Sequence, residues 1–346
     1  MNAPVVIFLC GDRSPYGMAH LEPIIEHFDV KAIIIADDDR WKTFRDSLGG
    51  GEQYVYRKTP PRLLHIVITI LKKSIALYRS IKHKTKFRKL GIPIMELNDV
   101  NASGSIDIIS KLSPELLVSA AYPQLFGTEL LRIAPGGAVN FHPSLLPRCR
   151  GAHPHYWCLA TGEKQGGVTA HYMTPQLDSG DIIAQCSFNL EGLYYNELYK
   201  KIIKITPKLV HKVLNFVNST NALASPQKSV EATIFRNDRE IHRKLDFNTM
   251  ESQKLLNLVR AGRSYLFYNG LQIYIEQAVV VDNNRHMLNN IKPSPGTIVD
   301  INEDGVVVIT LDQTFLIIKK VRWRIKSKKS SSWVKKCNMN IGEVLV

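Results

Sequence analysis

Val5-Val6-Ile7-Phe8-Leu9-Cys10 is an unbroken apolar run, and Val30-Lys31-Ala32-Ile33-Ile34-Ile35-Ala36 is a second, nearly apolar one shortly after it. Both are short and rich in Val and Ile, which suits strands buried on both faces better than a helix. Between them a loop from Gly11 to Gly17 leads into a helix expected over residues 18–28, and Asp37 to Asp39 close the second strand. A strand–helix–strand opening predicts a parallel, doubly wound sheet, because two parallel strands need a crossover helix packed on the sheet. The glycines stand at 11 and 17, not in a G-x-G-x-x-G pattern, so the fingerprint of a nicotinamide enzyme is absent.

The pattern continues with a helical region over residues 60–90, strands over 92–95 and 116–120, and helices over 106–112 and 129–133. Further strands follow around Val139 and over 168–173 and 182–188, with a closing helix over 193–217. Residues 218–230 are polar and read as a linker. Beyond them one helix, over residues 253–260, is followed by short alternating strands between Gly, Asn and Pro turns, which predicts a small OB-like β-barrel. The expected organisation is a catalytic domain over 1–217, a linker over 218–230 and a barrel domain over 231–346.

Chemistry concentrates in Asn140-Phe141-His142-Pro143-Ser144-Leu145-Leu146-Pro147 and in Asp178-Ser179-Gly180-Asp181. On a strand, period-2 alternation points Asn140 and His142 to the same side. Asn140 can donate to a developing oxyanion, His142 can donate or shuttle a proton, and Asp178 can hold the imidazole in one tautomer. That set suits attack on a carbonyl carbon. Arg148-Cys149-Arg150-Gly151 continues the loop, where either arginine suits a carboxylate or phosphate. Ser144 lies outside any G-x-S-x-G elbow and does not read as a nucleophile. His153 and His155 have no zinc-like spacing, so no metal site is expected. His171 reads as a structural histidine.

These motifs, taken in order, resemble the folate-dependent N-formyltransferase family. The resemblance rests on Asn140/His142, on Ser144 to Pro147 with Arg148, Arg150 and Gly151, on Gly167-Val168-Thr169-Ala170-His171, and on Asp178 to Asp181. In the C-terminal part, Val259-Arg260-Ala261, Tyr268-Asn269-Gly270 and Pro295-Gly296-Thr297-Ile298 are similar to the barrel of methionyl-tRNA and some sugar formyltransferases. The resemblance implies an enzyme that transfers formyl from 10-formyltetrahydrofolate to an amine, with Asn140, His142 and Asp178 catalytic. It also implies a folate pocket near Leu90, Ile92, Ala120, Tyr122 and Asp181, and a substrate loop of Ser144, Arg148, Arg150 and Gly151.

The net charge of +14 is concentrated, since residues 72–89 and 319–336 hold seventeen Lys and Arg and no acid. Such runs suit a polyanion or serve as solvated faces. With the linker and barrel they favour initiator methionyl-tRNA as acceptor. Gly11-Asp12-Arg13-Ser14 and Ala152-His153-Pro154-His155-Tyr156-Trp157 depart from that subfamily's segments, which favours a small amine such as a nucleotide-linked amino sugar. A 10-formyltetrahydrofolate hydrolase and a non-catalytic RNA-binding protein remain as alternatives. Five cysteines without a C-x-x-C pair fit reduced thiols in a cytoplasmic protein, and no apolar run is long enough for a membrane span.

Overall fold

The computed structural model describes residues 3–11, 14–36, 89, 91–235, 240–282, 293–323, 326–329, 333–334 and 337–345. The expected helix over 60–90 and the basic run 72–89 lie outside these residues, apart from Lys89. Val5–Gly11 (β1), Asp29–Ala36 (β2), Ile94–Glu96 (β3), Leu116–Ala120 (β4), Ala138–His142 (β5), Gln165–Tyr172 (β7) and Ile182–Asn189 (β8) form one sheet. Its order is β3-β2-β1-β4-β5-β7-β8. The two-residue strands Arg150–Gly151 (β6) and Ile234–Phe235 (β9) lie outside it.

The pairings from β3 through β5 are parallel, whereas β5 and β7 run antiparallel. The parallel sheet expected from the opening pattern runs from β3 through β5, and β7 adds an antiparallel strand at one side. Because β7 runs antiparallel to β5, with Thr169 level with His142, the chain enters β7 from the carboxyl edge of the sheet. A parallel partner would require crossing back to the other edge first.

Both faces of the central strands are covered, as their continuous apolar character requires. Ile7, Leu9, Ala32, Ile34 and Leu117 pack with Ile106, Ile109, Phe126 and Leu130 in one core cluster. The helix Pro15–His27 packs on β1, β2 and β4. It starts three residues before the expected Met18 because Ser14 caps it, its Oγ accepting from Gly17 N at 3.1 Å, with Pro15 in the first turn. Gly17 is required there, since a Cβ would lie 2.8 Å from the Ala120 carbonyl oxygen.

From β1 the chain moves to β2 on one side, while β4 flanks β1 on the other. The order thus reverses at the β1/β4 boundary, the place where open α/β sheets bind ligands at their carboxyl ends.

The chain divides into two compact units, residues 1–151, 167–187 and 201–234 in one, and 152–166, 188–200 and 235–346 in the other. In the second, Tyr265–Tyr268 (β10), Leu271–Val281 (β11), Ile298–Asn302 (β12), Gly305–Ile309 (β13), Phe315–Trp323 (β14) and Lys326–Lys329 (β15) form an antiparallel sheet. Asn269 and Gly270 join β10 to β11 with φ of 48° and 73°, as a tight two-residue hairpin turn requires. The helix Ser252–Ala261 has no side-chain cap on its own N-cap residue, and Asp312 replaces it by accepting from Ser252 N at 3.0 Å. Among the described residues no helix is long and apolar enough to cross a membrane.

Candidate active site

Asn140 and His142 stand on β5, two residues apart, and both face Asp178. Asn140 Nδ2 donates to Asp178 Oδ1 at 3.4 Å, and His142 Nδ1 lies 3.6 Å from Oδ2. The intervening Phe141 points the other way, with its ring 4.7 Å from that of His20. Alternation along the strand thus produces the site. His142 is 4% exposed and the Asp178 side chain 9%, so the pair is nearly dry, while Asn140 is only half-buried.

Asp178 sits in the left-handed region at φ 49°, a conformation short polar residues tolerate at some cost. Its loop is tight because Gly180 lies against the Tyr172 backbone, where a Cβ would come within 2.0 Å of the Tyr172 carbonyl oxygen. Gly151 N donates to Asp178 Oδ2 at 2.8 Å.

A second imidazole brackets the carboxylate. His171 lies opposite Asn140 across the β5/β7 ladder, with Nε2 3.5 Å from Asp178 Oδ1 and 3.3 Å from Asn140 Nδ2. Reading His171 as merely structural therefore misses its place in the site. The signal lay in the β5/β7 register, which neither strand reveals by itself.

The proton positions follow from the acceptors. His142 Nε2 lies 2.9 Å from the Cys149 carbonyl oxygen and His171 Nδ1 2.8 Å from that of Tyr172. A carbonyl only accepts, so each of these nitrogens carries a hydrogen. In the neutral rings the lone pairs then sit on His142 Nδ1 and His171 Nε2, both turned to Asp178.

Burial opposes ionisation of Asp178, but the positive charge that His142 and His171 carry when protonated, with the Gly151 N–H, outweighs it and holds its carboxyl well below the usual carboxylate range. For His142 burial is the larger effect and lowers its proton affinity, with Asp178 and the Cys149 carbonyl only partly offsetting it. His142 therefore holds a second proton less tightly than an ordinary histidine does.

Among the loop residues, Ser144 is fully buried and its Oγ donates to the Arg148 carbonyl at 2.8 Å, so it braces the turn. Thr169, opposite His142, ties the same loop to β7 by donating to the Ser144 carbonyl at 2.7 Å and accepting from Leu146 N at 3.1 Å. The bond between Leu146 and Pro147 is cis. Arg148 is exposed. Arg150, 8% exposed, turns inward, with Nε and a terminal nitrogen donating to Gln227 Oε1 at 3.0 and 2.7 Å. Gln227 was absorbed into the expected linker because its polar surroundings resemble one.

At the β1/β4 boundary, Ala120 is buried and level with both Cys10 and Phe141. The adjacent Tyr122 hydroxyl is buried without a hydrogen-bond partner among the described residues. Burial, then Cys10 and Asp99, push its ionisation upward, so it is a neutral donor. Asp181, exposed, begins the turn into β8 and accepts from Tyr172 N through its carbonyl at 2.9 Å. Ile92 precedes β3, whose Ile94 is level with Phe8 and Val118 in the middle of the sheet, so Ile92 lies toward the opposite edge, away from the triad. Leu90 lies outside the described residues. Among the described residues no group of His, Cys, Asp or Glu is placed to hold a metal ion.

A dry carboxylate flanked by two imidazoles, with a half-buried amide donor beside it at the carboxyl edge of the sheet, can stabilise charge and move protons at a carbonyl-level carbon. Residues 67–214 match the family described as Formyl transferase, and residues 239–338 match Formyl transferase, C-terminal domain. A methionyl-tRNA formyltransferase from Clostridium tetani is 30% identical over 227 residues, covering 64% of this chain and 71% of that protein. One from Clostridioides difficile is 31% identical over 231 residues, covering 65% and 72%. The chain belongs to the formyl transferase family, whose members use formyl-tetrahydrofolate as donor.

In fold it is similar to an N-formyltransferase from Helicobacter canadensis solved with folinic acid and dTDP-3-aminofucose, at TM-score 0.59 and 17% identity, covering 91% of this chain and 98% of that one. The sugar 3N-formyl transferase WlaRD, solved in the presence of dTDP and 5-N-formyl-THF, gives TM-score 0.59 at 15% identity, covering 94% and 100%.

Proposed function

We propose that the chain transfers a formyl group from 10-formyltetrahydrofolate to the primary amine of a small acceptor, an amino sugar carried on a nucleotide. The observation that carries the formyl-transfer reading is the convergence of Asn140, His142 and His171 on Asp178. The Tyr122 hydroxyl, buried without a hydrogen-bond partner among the described residues and two positions after buried Ala120, fits a donor whose polar heterocycle enters an apolar slot at the sheet edge.

The neutral acceptor amine attacks the formyl carbon, and Asn140 Nδ2 donates to the oxyanion that forms. His142 Nε2–H is engaged by the Cys149 carbonyl, so this histidine works at Nδ1, which takes the proton lost by the attacking nitrogen. Asp178 stabilises the resulting imidazolium. Collapse of the tetrahedral species breaks the bond from the formyl carbon to N10, which regains a proton, leaving a formamide and tetrahydrofolate. No enzyme-bound formyl intermediate is needed.

The small acceptor is favoured by the described part of the C-terminal basic run. Lys320 and Arg322 both pair with Glu276, at 3.8 and 3.2 Å, and Arg322 lies over the Tyr274 ring. Cations engaged in this way offer less to phosphates than free ones. A second reading, initiator methionyl-tRNA, is favoured by the names of the relatives at 30–31% identity. Competition decides between them: the enzyme is given 10-formyltetrahydrofolate, a nucleotide-linked amino sugar and initiator methionyl-tRNA together, and each is assayed for formyl amide. Product on the sugar alone supports the proposal, and product on the tRNA alone replaces it.

A further inference from the structure

We propose that Gln227, in the segment connecting the two matched domains, is a positioning residue that holds the Asp178 loop in its reactive conformation. The proposal rests on reading the Asn140–His142–Asp178 cluster as the formyl-transfer site. Gln227 Nε2 donates to the carbonyls of Asp178, at 3.0 Å, and of Gly180, at 2.7 Å. Its Oε1 accepts the two bonds from Arg150. Both amide hydrogens and both lone pairs are thereby used, which leaves only one orientation for the carboxamide.

The bonds go to the place where the backbone needs holding. Asp178 is the left-handed residue, and such conformations persist only when the surroundings enforce them. The connector itself is anchored on both sides of Gln227. Ser225 and Ile182 exchange backbone bonds at 2.8 Å each way. Thr233 accepts from Cys149 N through Oγ1 at 2.8 Å, and its carbonyl accepts from Arg150 N at 2.8 Å. Gln227 thus hangs from a fixed strap, and the carboxylate it steadies is the one that faces His142.

The nearest replacements each lose part of this arrangement. Glutamate keeps the acceptor for Arg150 but turns oxygen lone pairs on two carbonyls. Methionine keeps the length and makes none of the four bonds. Asparagine is one methylene short.

The test measures steady-state formyl transfer and the His142 imidazole titration by NMR in wild type, Gln227→Met, Gln227→Glu and a Lys228→Ala control. Among the described residues the titratable groups that act on His142 are Asp178 and His171, and Arg150 acts on Asp178. The expected result for both Gln227 variants is a kcat loss on the order of tenfold or more, as small misplacements at a reacting centre produce. Donor KM should stay within about twofold, and the His142 titration should move to lower pH as Asp178 drifts from Nδ1. The control should match wild type in all three.

A Gln227→Met enzyme with near-normal kcat, or a kcat loss with an unmoved His142 titration, overturns the proposal. So does a Gln227→Glu enzyme with full activity, which would reduce the role to holding Arg150. If wild type itself transfers no formyl group, the proposed function fails, yet the titration still decides whether Gln227 positions Asp178.

Discussion

Replacing Asp178 by Asn tests the core of the site with almost no change in volume. Oδ2 faces both His142 Nδ1, at 3.6 Å, and the Gly151 N–H, at 2.8 Å. Oδ1 faces Asn140 Nδ2 at 3.4 Å and His171 Nε2 at 3.5 Å. An amide placed with its nitrogen at the Oδ2 position satisfies His142 but meets the Gly151 N–H, donor to donor. Placed the other way, it satisfies His171 and meets the Asn140 amide. Either orientation leaves a part-buried donor unmatched, at a cost of about 1–3 kcal/mol.

The charge is lost as well. A unit pair at this separation is worth roughly 4–5 kcal/mol at an effective dielectric near 20. If about a third of that is realised as the imidazolium forms, the combined penalty reaches roughly 3–4 kcal/mol, or about 10²–10³ in kcat. The assay is initial-rate formyl transfer at saturating donor, beside a thermal melt to show that the variant is folded. A folded Asp178→Asn enzyme within about threefold of wild type would refute the assignment of Asp178.

Three further outcomes follow from the geometry. Gly180→Ala should fail to accumulate as folded protein or melt many degrees lower, because its Cβ would collide with the Tyr172 carbonyl at 2.0 Å; a wild-type melt would contradict the packing. His20, fully buried between the rings of Tyr16 and Phe141, has its pKa lowered by burial to about 4 despite the Tyr16 carbonyl. The unfolded chain therefore binds a proton between about pH 6.5 and 4 that the folded one refuses, so stability falls as pH drops through that window, by about 3 kcal/mol in all. In urea titrations His20→Phe should flatten that acid slope by close to one proton, and an unchanged slope would exclude His20 as its source. Neutralising Lys320 and Arg322 should leave acceptor KM and its salt dependence nearly unchanged for a small acceptor, whereas a tRNA acceptor would lose slope with each phosphate contact removed.

Much of the catalytic unit was legible because its signals are local. Short Val- and Ile-rich runs such as Val5 to Cys10 suit buried strands better than helices, and period-2 spacing alone puts Asn140 and His142 on one face. What was not legible depends on register and on long-range hydrogen bonds. The antiparallel entry of β7 brings His171 opposite Asn140, and nothing within either strand encodes that pairing. Arg150 read as an anion-binding side chain, yet its partner is a glutamine from a segment whose composition resembles a linker. Ser144, expected in the substrate loop, is a buried brace because its hydroxyl closes the turn it begins. Ile92 is close to β3 in sequence, but strand order carries β3 to the edge of the sheet.

The most direct test of the account follows isotopically labelled formyl from 10-formyltetrahydrofolate in a single turnover, with wild type and with Asn140→Ala. The label should appear as a formamide on the amino group of a small acceptor, never on the protein, and Asn140→Ala should slow its appearance by about 10²–10³, the usual cost of losing one oxyanion donor. Label released only as formate whatever amine is supplied, or transfer unaffected by Asn140→Ala, would contradict it.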